Sequence, residues 1–292
     1  MGINVIKIID AVDEYKKILE DNLNNSIEDK IKAWEDYHKN KFPELEKKCK
    51  DYYEVDGYNW NDIAITKVFN RRQEDYFSMM EAYKNISDIF LDIDKRVKEI
   101  FSIDLDINIV IYVGLCNAAG WVDEYEGKIA MLFGIDKIAE LRWETKEQLD
   151  SLVSHELCHV VHYYLRGEVI PKWAEKNKYN NGIWNIYEEG FAQYYENKLS
   201  KSQFDSRGEN WIEICKEKER ELKKLYIEAL KNEERGTCEF YGDWFKVLGI
   251  SDAGYYLGAK LIESLNEKYD INSIAKMECK DIEKEVMEFL RS

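Results

Sequence analysis

Apolar residues recur at three- and four-residue spacing along most of the chain. The pattern predicts helices over Val12–Asn22, Ile27–Asn40 and Arg71–Phe101. It predicts more over Gln148–Arg166, Ile186–Ser200, Trp211–Asn232, Ala253–Lys268 and Cys279–Leu290. Only two prolines, Pro43 and Pro171, and no Gly/Ser-rich linker break the run. Between residues 101 and 136 the pattern changes. INIVIYVGL (Ile107–Leu115) is short, β-branched and mostly apolar, so it reads as a strand. GKIAMLFGID (Gly127–Asp136) reads as another, and CNAAGWVDEYEG between them has turn chemistry at Asn117, Gly120 and Gly127. The expected class is α+β and predominantly helical, with a small sheet ahead of the 148–166 helix and a helical C-terminal part. Residues 1–100 are expected to form a helical lobe, and residues 101–292 a second domain.

Composition narrows this picture. With 292 residues, 45% hydrophobic and 13% aromatic, the chain has the makings of a packed core rather than a disordered segment. Its 58 acidic against 42 basic residues give a net charge of −16, which argues against a phosphate-binding surface and hence against nucleic acid as partner. No apolar run approaches the ~18 residues that span a bilayer, so no membrane partner is expected. The start, MGINVIKIIDAVDEYKK, lacks the basic region of a secretory signal. The six cysteines show no close-pair zinc spacing and read as reduced thiols. The expected compartment is the cytoplasm; oligomeric state is not legible.

Candidate chemistry lies in SLVSHELCHVVHYYL (Ser151–Leu165). Three of the four histidines, His155, His159 and His162, fall within this one predicted helix. His155 and His159 are four apart, so both imidazoles leave one face and can meet one ion. Glu156 sits about 100° further round, badly placed as a ligand and well placed to reach a water at that ion. This is the H-E-x-x-H arrangement: a neutral imidazole pair suits zinc, and the glutamate takes a proton from the attacking water. His162 lies on nearly the same face and can join the site or border it. Cys158 reads as a small buried apolar residue.

A third ligand must come from elsewhere. The metzincin pattern requires Gly three residues after the second histidine and His three later, where this chain has His162 and Leu165, so it is excluded. NIYEEGFAQYYENKL offers a second amphipathic helix with two carboxylates near its start. Glu189, followed by Gly190, is the better candidate, because a glycine there lets two helices approach closely. Glu188 reads otherwise as a helix-start carboxylate favoured by the dipole.

HELCH followed after 29 residues by EGFA resembles the gluzincin metallopeptidases. The EGFA segment is similar to that of their aminopeptidase branch, and to the Glu-Gly-Leu-Ala of predicted bacterial zinc proteases of the YjaZ type. The resemblance implies a zincin-like core, Zn²⁺ held by His155, His159 and Glu189, Glu156 as general base, and a peptide or protein substrate. SDAGYYLGAK resembles the branch's Tyr-x-x-Gly, which implies Tyr255 as an oxyanion donor with Gly258 three residues on. The Gly-x-Met-Glu-Asn segment by which the aminopeptidases hold a free amine has no counterpart in CNAAGWVDEYEGKIAMLFG. The strand Lys128–Phe133 reads either as an edge open to an extended peptide or as an ordinary core strand. Gln193, one turn after Glu189, is placed to orient a histidine ligand. The expectation is a zinc-dependent peptidase; its rival is a non-catalytic protein that keeps the metal as a structural clip.

Overall fold

The computed structural model describes residues 6–55, 57–168, 170–202, 207–208, 210–242 and 245–292. The first five residues of the start read above for a signal thus lie outside the described residues. The fold is α+β and predominantly helical, with one four-stranded sheet. It divides into two compact units, Met1–Val153 and Ser154–Ser292, rather than near residue 100.

The first unit is built on the sheet. Its strands β1 (Lys7–Asp10), β2 (Asn108–Tyr112), β3 (Gly120–Tyr125) and β4 (Lys128–Gly134) stand in the order β1-β2-β4-β3. β2 runs parallel to both neighbours, with Asn108 opposite Lys7 and Ala130, and β3 is antiparallel to β4. Every residue of β2 is buried, which is why it reads as an unbroken apolar run. β3 lies in a stretch read as turn. It is an edge strand with only Tyr125 buried, so its Asp and Glu residues hide the two-residue period. A two-residue turn, Glu126 (φ 49°) and Gly127 (φ 73°), joins it to β4, as a tight hairpin with positive φ at both central positions requires. β4 is consequently an inner strand, not an open edge.

The helices of this unit are α1 (Tyr15–Asn22), α2 (Ile27–Lys41), α3 (Pro43–Glu54), α4 (Trp60–Ile63), α5 (Arg72–Phe90), α6 (Ile93–Phe101) and α7 (Ile135–Leu141). The single helix expected over Arg71–Phe101 is broken at Leu91–Asp92. There the N–H groups donate three residues back, to Asp88 and Ile89, and Asp92 accepts from Arg96 Nε at 2.9 Å. A buried pair locks the loop after β2. Arg72 Nη2 donates to Gly114 O (2.6 Å) and Asp136 Oδ2 (3.1 Å), while Asp136 accepts from the N–H groups of Gly114 and Cys116.

Helix α8 (Lys146–Arg166) begins in the first unit and ends in the second. The second unit continues with α9 (Lys178–Leu199), α10 (Trp211–Glu217), α11 (Glu219–Leu230), α12 (Ala253–Asn266), α13 (Ile271–Ala275) and α14 (Cys279–Arg291). α9 starts eight residues before the apolar periodicity does, because the Asn177 side chain caps it by accepting from Asn180 N–H at 2.8 Å. α9 and α12 cross backbone to backbone. A Cβ on Gly190 would lie 2.3 Å from Gly258 O, and one on Gly258 2.5 Å from Ile186 O. Among the described residues no helix is long and apolar enough to cross a membrane, and the six cysteines are free.

Candidate metal centre

The phase of α8 is set at its start. Thr145 N–H donates to Gln148 Oε1 (3.1 Å) and Gln148 N–H to Thr145 Oγ1 (3.4 Å), a reciprocal cap. With that phase Val153, Leu157, Cys158, Val160 and Val161 are buried. His155 and His159 share the face turned to α9, their ring centroids 4.9 Å apart. The α9–α12 crossing at Gly190 holds the neighbouring Glu189 against them.

His155, His159 and Glu189 each bring one ligand atom into a cluster whose members lie within 4.8 Å of one another. Nε2 of His155 and Nε2 of His159 each stand 3.4 Å from Glu189 Oε2. At that separation neither contact forms a hydrogen bond. It suits a shared cation instead: donors about 2.0–2.2 Å from a tetrahedral ion lie roughly 3.3–3.6 Å from one another. Glu189 Oε2 is buried and has no hydrogen-bond partner among the described residues, which is the state of an oxygen reserved for an ion. The N₂O donor set is the chemistry zinc takes. The residues therefore fit a metal. The side chains of Glu189 and His155 keep 24% and 16% of their surface exposed, so the cluster reaches solvent.

The electrostatics ask for positive charge. Burial by itself would lower the His155 pKa, but the carboxylates of Glu189 and Glu196 beside the ring overcome it and raise it to about 10. His159 is depressed by burial and lifted on balance, chiefly by the charge of Glu189. Burial pushes Glu189 up, yet the two imidazoles hold it well below the usual carboxylate range. Burial raises Glu156, and it raises Glu188 to about 7. Four carboxylates thus surround two imidazoles. In the metal-free chain a proton on His155 supplies compensating charge; a cation can take its place.

The remaining candidates separate clearly. Glu156 is buried and feels both histidines. The Tyr255 ring centroid lies 5.8 Å from that of His155, and 5.5 Å from the Tyr241 ring. Tyr256 points elsewhere, its hydroxyl donating to Glu219 at 2.7 Å. His162 stays outside the donor cluster: fully buried, it stacks on Phe191 at 4.4 Å and on Trp184 at 5.4 Å, and neither ring nitrogen finds a partner among the described residues. Glu188 faces away from the donor atoms, accepting from the Tyr163 hydroxyl. Gln193 touches no histidine; its Nε2 donates to Glu196 Oε2 at 3.1 Å.

Glu196 is the residue that sequence reasoning missed. It accepts from His155 Nδ1 at 3.3 Å, and the signal was present, since it lies seven residues and two turns after Glu189 on the same face of α9. Comparison of the chain with family models, curated proteins and solved structures gave no match.

Proposed function

We propose that the chain is a zinc-dependent hydrolase of the gluzincin type, cleaving peptide bonds. The observation that carries the reading is the convergence of His155 Nε2, His159 Nε2 and Glu189 Oε2 at separations suited to one tetrahedral ion. A mixed sheet ahead of the HELCH helix in sequence is compatible with a zincin-like core. Three protein donors are the usual set of a catalytic zinc site, which keeps its fourth position for water or substrate. A bound zinc ion would supply Lewis acidity, polarising a scissile carbonyl and easing the deprotonation of a water.

The chain's own residues do the rest. Glu156, held in a buried position next to both histidines, accepts the proton of the attacking water and later delivers it to the leaving amine. Tyr255 supplies a phenol beside His155, a donor that strengthens as charge develops on the carbonyl oxygen. Peptide and protein as the substrate class follow from the gluzincin resemblance of HELCH and EGFA, and an amide's leaving amine needs the proton that Glu156 carries.

The test is hydrolysis of a mixed peptide library by the zinc-loaded chain, read by mass spectrometry. Glu156→Gln is expected to keep the metal and lose turnover, and Tyr255→Phe to lose roughly 10²–10³ in kcat. Turnover by Glu156→Gln equal to wild type would overturn the assignment of the base.

A further inference from the structure

Because both histidines aim Nε2 at Glu189, both Nδ1 atoms face away from the donor cluster, and behind each stands a carboxylate from α9. His155 Nδ1 donates to Glu196 Oε2 at 3.3 Å. The same oxygen accepts from Gln193 Nε2 at 3.1 Å, and Gln193 Oε1 accepts from Arg207 Nη2 at 3.0 Å, which fixes the way the amide faces. Glu196 is buried, so this arrangement is sheltered from solvent competition. His159 Nδ1 lies 3.9 Å from Glu188 Oε1, and the Tyr163 hydroxyl donates to that same oxygen. The Tyr163 ring stacks alongside His159, with centroids 6.1 Å apart.

We propose that Glu196 is the positioning residue of His155, with Glu188, anchored by Tyr163, standing at longer range behind His159, so that α9 furnishes one donor and the hydrogen-bonded support of another. The inference rests on the metal-centre reading above. An acceptor behind Nδ1 keeps the hydrogen on that nitrogen, leaves the Nε2 lone pair for the ion, and stops the ring turning about its χ2 bond. The two supports differ in strength. His155 has a hydrogen bond at 3.3 Å, whereas 3.9 Å is beyond one and leaves His159 Nδ1 without a partner among the described residues. Glu196 therefore carries the larger share. The spacing makes the device compact: Glu188 and Glu189 are adjacent, and Glu196 lies two turns on, where α9 has passed from His159 to His155.

Zinc affinity of the full chain, measured by competition with a chromophoric chelator, tests this. Glu196→Ala is expected to bind zinc roughly 10–100-fold more weakly than wild type. Long-range ¹H–¹⁵N spectra of the zinc-loaded protein provide a readout that a merely structural role would not move. Wild-type His155 should be a single Nδ1–H tautomer, and Glu196→Ala should lose the protected Nδ1 proton. Glu196→Gln, which keeps an oxygen acceptor, should retain the tautomer with an affinity reduced by no more than about tenfold. If circular dichroism shows Glu196→Ala unfolded, the wild-type spectrum decides, and a zinc-loaded His155 that lacks the protected Nδ1 proton overturns the proposal. Zinc binding by folded Glu196→Ala within about two-fold of wild type, against the loss expected for an outer partner, overturns it while leaving the metal centre intact. Failure of the wild type itself to take up zinc sinks the underlying reading, and shows in the wild-type titration alone.

Discussion

His162 and His159 sit less than one turn apart on α8 and meet opposite surroundings. His159 faces Glu189, whereas His162 is stacked on Phe191, Trp184 and Tyr163 and meets Tyr187 edge-on. Burial with no acceptor for its N–H costs free energy and drives its pKa far down. His162→Phe is expected to leave zinc uptake unchanged and to hold or raise stability by roughly 1 kcal/mol in urea unfolding; loss of zinc in that variant would return His162 to the site. The other fully buried histidine, His38, gives a pH signature in the first unit. Burial pushes its pKa down to about 4 against an ordinary 6.5, while its Nδ1 stays bonded to Trp34 O at 2.9 Å. The folded chain thus prefers the neutral ring, and between those values the unfolded chain binds the extra proton. Its contribution is full above pH 6.5 and is lost as pH falls towards 4, amounting to about 2 kcal/mol between pH 7.5 and pH 5. Urea unfolding at both pH values should show a shallower loss for His38→Gln; an identical slope would contradict the assignment.

At the scale of elements, the two glycine-bearing motifs, EG at 189–190 and the Tyr-x-x-Gly ending at 258, form one contact. Gly190 and Gly258 meet where α9 crosses α12, with no room for a methyl group on either. Gly190→Ala should cost roughly 1–3 kcal/mol or more, because the obstruction is backbone and not a side chain that can turn away. Since Glu189 is the next residue, zinc affinity should fall with it; a variant as stable and as zinc-competent as wild type would show that the crossing does not set the site. Elements were legible where burial on one side imposed a period. α8, α12 and α14 fall close to their expected spans, and β2 and β4 within theirs. β3 escaped because an edge strand with Asp123 and Glu124 has no apolar alternation, and β1 because four residues are too few to show one. The first two turns of α9 escaped because Asn180, Asn181 and Gly182 are poor helix formers and the start depends on the Asn177 cap.

Across the whole molecule, the candidate site was more legible than the architecture that carries it. Spacing within one helix is a local property, so His155, His159 and Glu156 could be read together, and the following glycine singled out Glu189. The partners behind the imidazoles were not legible in the same way, because Glu196 and Tyr163 acquire their roles only when α8 and α9 lie side by side. The expected lobe boundary near residue 100 differs from the observed units because β1 pairs with β2, tying the chain start into the sheet. At this scale the acidic balance has a local counterpart, since the second unit gathers Glu156, Glu188, Glu189 and Glu196 around two histidines. Bringing those charges together is unfavourable without a cation, and free zinc at about 1,000 times its Kd should add about 4 kcal/mol of stability by mass action. The most direct measurement is the zinc content, by plasma mass spectrometry, of untagged wild type and Glu189→Ala purified without chelator. The account predicts about one zinc per wild-type chain and a sharp fall in the variant, as removal of one of three donors requires. Absence of zinc from the wild type after reconstitution, or an undiminished content in Glu189→Ala, would contradict it.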